Sequence, residues 1–98
     1  MKFLIITTPR RLQLPPVALM EAAKGWIDGK LADKTFDCCH AFMAGGGVSI
    51  CNADSADSMA KMLMSYPAYG FADWKVDALC DIDAALDQVI AMVRRAGG

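Results

Sequence analysis

The stretch DCCHAFMAGGGVSICN, Asp37 to Asn52, gathers most of the chemically capable side chains in this chain of 98 residues. Cys38 and Cys39 precede His40, the only histidine, and Phe42, three glycines, Ser49 and Cys51 follow. An imidazole suits proton transfer at neutral pH, and a thiol beside it ionises more readily. Hydroxyls such as those of Ser49 and Tyr69 can donate to a developing enolate oxygen. Arg10 and Arg11, just after an apolar run, can hold a carboxylate. The candidate catalytic residues are His40, Cys51 and Asp73. The candidate substrate-binding residues are Cys38, Phe42, Ser49, Tyr69, Arg10 and Arg11. Each has a plainer reading: a packed histidine, ordinary surface arginines, and a solvated strand face around Asp73. Cys38, His40 and Cys51 could make a three-ligand zinc set. The chain lacks Cys-x-x-Cys or His-x-x-x-His spacing, so no metal and no other cofactor is expected. The GGG run opens no helix and has no Lys-Ser/Thr after it, which argues against a phosphate loop.

These residues need a scaffold. Lys2 to Thr8 is apolar and β-branched and reads as a strand. Pro9, Pro15 and Pro16 cannot continue it, and Pro16 suits a helix start. Leu19, Met20, Ala23, Ile27 and Leu31 recur at helical spacing, giving a helix from about Pro16 to Leu31. Thr35 to Ala44 and Gly47 to Ala53 read as strands joined by a glycine turn. Asp54 or Ser55 caps a helix from Ala56 to about Ser65, which Pro67 and Gly70 end. Phe71 to Cys80 is a fourth strand. Asp81 or Asp83 caps a last helix with an apolar stripe of Ile82, Ala85, Leu86, Val89, Ile90 and Val93. The fold class is α+β: a single domain, residues 1–98, with the ferredoxin-like βαββαβ order and an extra C-terminal helix.

The turn sets which residues share a face. With Gly45 and Gly46 as a two-residue turn, His40 pairs with Cys51 and Met43 with Val48. Ala41, Met43, Val48 and Ile50 then lie under the helices. Phe36, Cys38, His40, Phe42, Ser49 and Cys51 share the opposite face, whose mixture of aromatic walls and few polar groups suits a small-molecule pocket. In the fourth strand Ala72, Trp74, Val76 and Ala78 should pack on the helices, and Asp73, Lys75 and Asp77 should join the His40 face.

Composition narrows the rest. Hydrophobic residues make up 55% of the chain and the net charge is −1. Nothing marks a nucleic-acid surface, and no apolar run approaches the ~20 residues of a membrane span. The apolar run in MKFLIITTPR is too short for a signal peptide, so the expected location is cytoplasmic, with the four cysteines reduced. The apolar excess and the second sheet face call for a cover, which a second copy supplies in a homodimer.

The segment SYPAYGFADWKVDALC resembles the muconolactone isomerase family, whose pattern is Pro-x-aromatic-x-aromatic-x-Asp-x-x-Val-Asp-x-Leu-Cys. Here the matching residues are Pro67, Tyr69, Phe71, Asp73, Val76, Asp77, Leu79 and Cys80, and SICNADSADSMAKMLMSYP before it lines up as strand, capped helix and proline stop. The resemblance implies a dimeric α/β barrel, possible rings of dimers, and cofactor-free proton shifting on a small lactone. It departs at Lys75, where the family has an acid, in the second strand, and in the long helix from Asp83 onward. The expected function is a cofactor-independent isomerase or cyclase acting on a small, oxygenated, anionic ring compound. The alternatives are a non-catalytic small-ligand-binding or assembly protein of the same fold, and a cofactor-free monooxygenase. Trp74, facing the helices, weighs against the last.

Overall fold

A computed structural model of the chain describes residues 1–10 and 14–97. The elements are β1 (Lys2–Pro9), α1 (Val17–Ala32), β2 (Phe36–Ala41), β3 (Gly47–Asn52), α2 (Ala56–Met64), β4 (Ala72–Leu79) and α3 (Ile82–Arg95), with one 3-10 turn at Tyr69–Phe71. Every expected element is present, with ends moved by up to three residues. The strands form one antiparallel sheet in the order β2-β3-β1-β4, which is the ferredoxin-like arrangement.

Local chemistry accounts for the boundaries. Pro16 sits at the N-cap of α1 in an extended conformation, where its missing N–H costs nothing. The Ser55 hydroxyl accepts from the Ser58 N–H at 3.1 Å and starts α2. The Asp81 carboxylate accepts from the Ala84 N–H at 3.0 Å and starts α3.

The core lies between the sheet and the first two helices. Phe3 and Ile5 of β1, Phe36 of β2 and Cys51 of β3 pack with Met59 and Leu63 of α2, and Trp26 of α1 closes over them. Strand alternation continues this face through Trp74 and Val76, opposite Thr7 and Ile5 in the register. The helix-facing set expected for β4 is therefore correct. The opposite face, with Leu4, Ile6, Val48 and Ile50, carries no helix among the described residues.

The β2–β3 hairpin differs from the expected one. Ala41 pairs with Gly47, and His40 pairs with Val48 instead of Cys51. The connection is five residues long, Phe42–Gly46, closed by the Phe42 N–H donating to the Gly46 carbonyl at 3.0 Å and the Gly45 N–H donating to the Phe42 carbonyl at 3.0 Å. A bulge between Phe36 and Cys38 adds a further shift, so Phe36 pairs with Cys51 while Cys38 pairs with Ile50. An odd slip turns side chains to the other face. Ser49 and Cys51 consequently face the helices, and Val48 and Ile50 do not.

Candidate functional site

A cavity of about 480 Å³ opens on the helix side of the sheet, at the end where β1 runs out and the hairpin turns. Its position corrects the expectation that the pocket lies on the face away from the helices. An aromatic series walls it. Phe36 meets Trp26 edge-on at 5.6 Å, Trp26 meets Tyr66 at 5.2 Å, and Tyr66 meets Trp74 at 5.4 Å. Tyr69 stacks behind Trp74 at 5.6 Å. Edge-to-face contacts of this kind add about 0.5–1.5 kcal/mol each beyond the area buried. Both indoles are tethered: Trp26 Nε1 donates to Ser65 Oγ at 3.2 Å, and Trp74 Nε1 donates to the Tyr69 carbonyl at 3.0 Å. The walls are thus fixed before any ligand arrives.

Few polar atoms enter this space. Thr7, Cys39, Ser49 and Tyr66 line it, with Arg10 and His40 among the residues at its border. Thr7 Oγ1 accepts from the Gly47 N–H at 2.9 Å and so pins the hairpin over β1. The hydroxyls of Ser49 and Tyr66 make no hydrogen bond within the described residues, and both border the cavity. Burial pushes the Cys39 thiol above its ordinary 9.0. Burial, and then the neighbouring Cys39, push the Tyr66 phenol above 10.0. Both groups are protonated donors at neutral pH. Among the described residues no carboxylate lines the cavity. Arg10 is its charged border residue, with Nε donating to Asp73 Oδ1 at 2.9 Å and Nη1 to the Gly70 carbonyl at 3.4 Å.

The residues singled out from the sequence are divided by this geometry. Ser49 and Arg10 come together at the cavity. His40 borders it, but is exposed and pairs with Val48, so the proposed contact with Cys51 does not form. Cys51 is fully buried in the core, its Sγ 3.3 Å from Met59 Sδ, and burial raises its thiol pKa. It touches α2 and not the ligand space. Asp73 is exposed, lies outside the cavity lining and is engaged with Arg10. Cys38 pairs with Ile50 on the helix-free face, Phe42 lies exposed in the hairpin connection, and Tyr69 supports Trp74 from behind. Arg11 lies outside the described residues. No group of three or more His, Cys, Asp or Glu among the described residues is placed to hold a metal ion.

Sequence reasoning missed Tyr66, Cys39, Trp26 and Thr7. Trp26 carried a signal: it lies three residues after Ala23, on the same helical face. Trp74 was correctly turned towards the helices, but the cavity is on that side, so its orientation counts for an aromatic-walled site and not against one. Tyr66 carried no signal, because it follows α2 in a segment without periodicity.

Among the described residues no helix is long and apolar enough to cross a membrane. The sequence matches no family model and no curated protein. Solved structures are similar in fold. Muconolactone isomerase superposes with a TM-score of 0.73 at 20% identity, covering 83% of this chain and 90% of that one. The 5-chloro-2-hydroxyhydroquinone dehydrochlorinase of Burkholderia phenoliruptrix AC1100, solved with 2,5-dihydroxybenzoquinone, superposes with a TM-score of 0.60 at 16% identity, covering 86% of this chain and 98% of that one. This chain accordingly has the muconolactone isomerase fold, a ferredoxin-like α+β sheet with α1 and α2 on one face.

Proposed function

We propose that the chain is a cofactor-independent isomerase or lyase for a small, oxygenated ring compound bearing a carboxylate. The observation that carries this reading is the cavity itself: aromatic walls, uncharged donors inside, and the Arg10 guanidinium at the border. A flat ring lies against the wall that Trp26, Tyr66 and Trp74 form. Its carboxylate meets Arg10, which Asp73 holds in position. Proton abstraction next to a carbonyl develops an enolate oxygen, and the Ser49 and Tyr66 hydroxyls donate to it. Alternation turns the His40 side chain to the helix-free face with Val48, so the proton leaves one ring carbon for a water at the cavity mouth and is returned to another, or the enolate expels a leaving group. The two structural neighbours are named for reactions of these two kinds, which supports the choice.

We place the protein in the cytoplasm, where its four thiols stay reduced, and as a homodimer through the helix-free sheet face. A cofactor-free monooxygenase is the second reading, favoured by the paired tryptophan walls; it would consume dioxygen with an aromatic substrate.

The test is quenching of tryptophan fluorescence by 2,5-dihydroxybenzoquinone and turnover of muconolactone followed by absorbance. Tyr66→Phe keeps every ring contact and removes only the hydroxyl. It is expected to lower kcat by about 10²–10³-fold, the usual cost of one oxyanion donor, with an unchanged Tm. Full activity in Tyr66→Phe, or no quenching by the quinone, refutes the site.

A further inference from the structure

The last helix has no place in the core. α3 buries no residue, and Ile82, Leu86, Val89, Ile90, Met92 and Val93 are each about half exposed or more. The chain measures 59 × 29 × 23 Å with a radius of gyration of 17.1 Å, against about 13 Å for a compact domain of this length. An isolated helix of 14 residues is marginal in water, so α3 needs a partner for its apolar stripe.

We propose that α3 pairs antiparallel with α3 of a second copy of this chain. The spacing of Ile82, Leu86, Val89 and Val93 is four, three, four, the alternation of a two-helix seam. In the antiparallel pair Leu86 packs on Val89 of the second copy, and Ile82 on Val93. Charge fixes the orientation. Asp81, Asp83 and Asp87 lie in the first half of the segment and Arg94 and Arg95 at its end. Antiparallel pairing sets Asp81 and Asp83 of one copy beside Arg94 and Arg95 of the other, and a parallel pair would set arginine against arginine. The same balance of charge argues against a membrane surface, which selects helices rich in Lys and Arg. The six exposed side chains offer on the order of 600 Å² per copy, near the ~800 Å² that each partner of a stable pair covers. This contact is separate from the sheet-face dimer and does not depend on it.

The full-length chain is examined by sedimentation velocity at micromolar concentration, beside Leu86→Asp and an Arg94→Glu/Arg95→Glu double variant. Leu86→Asp is expected to weaken self-association about 30-fold or more, as for a central interface residue. The arginine reversal is expected to weaken it less, and adding Asp83→Lys to recover part of the loss. Because α3 leaves the core untouched, the unfolding midpoint followed by tryptophan fluorescence should hold in all of these. Orientation is read from Leu86→Cys/Val89→Cys with Cys80→Ser: oxidation and peptide mapping should give a crosslink from position 86 to position 89 of the other copy. An 86-to-86 crosslink, unchanged association in Leu86→Asp, a native monomer, or binding of α3 to lipid vesicles without self-association would each overturn the proposal.

Discussion

Gly46 is the tightest point of the hairpin that carries the site, and Gly46→Ala measures how tightly. Its φ is +83°, which costs an L-residue roughly 1–2 kcal/mol. A Cβ there would stand 2.1 Å from the Thr7 carbonyl oxygen, 3.1 Å from its carbon and 3.3 Å from Pro9 Cδ. The nearest obstacle is backbone, with no flexible side chain to yield. Relief requires lifting the turn off β1 by about an ångström, which breaks the Phe42–Gly46 closure and the Gly47-to-Thr7 bond, at ~1 kcal/mol each. The expected loss is therefore about 3–4 kcal/mol, a large share of a domain's 5–15 kcal/mol. Equilibrium urea unfolding followed by tryptophan fluorescence reads it directly. Gly45→Ala is the control: its φ is +106°, but the nearest atom is Pro9 Cγ at an ordinary 3.4 Å, so only the strain of ~1–2 kcal/mol applies. Gly25→Ala, inside α1 with nothing within 4 Å, should stabilise by ~0.5–1 kcal/mol. If Gly46→Ala matches Gly45→Ala, the close approach of the turn to β1 is wrong, and the cavity geometry with it.

Two further outcomes follow from burial. Cys51→Ser places a hydroxyl against Met59 in the core and should cost about 1–3 kcal/mol in the same unfolding assay, while leaving quinone affinity unchanged; a selective loss of affinity would return Cys51 to the site. Stability should fall on the alkaline side: Cys39, Cys51 and Tyr66 have raised pKa values in the folded state, so their contribution is complete below pH ~9 and is lost as pH climbs through those values. Tyr66→Phe should make that alkaline limb shallower, and an identical limb would contradict the burial of the phenol. On the acid side Asp37, lowered by its bonds to Lys2 and then Asn52, contributes above its ordinary 3.8 and fades below it.

Local rules wrote much of this protein. The proline before α1, the Ser55 and Asp81 caps, the 3.6-residue stripes and the alternation in β4 each act within a few residues, so element order and the helix-facing set of β4 were legible from the sequence. The extra amphipathic helix was legible too, because its stripe is continuous. The register of β2 on β3 was not. Period-two alternation says which residues share a face within one strand, but it does not say where one strand stops sliding along another. That was decided by contacts between distant segments: Thr7 holding Gly47, and Asp37 at the bulge meeting Lys2 and Asn52. These contacts moved His40 from Cys51 to Val48 and turned Ser49 and Cys51 to the helix side. The cavity is likewise a tertiary product. Trp26, Tyr66 and Trp74 come from three segments, and only the packing of α1 and α2 on the sheet brings their rings together around the cavity.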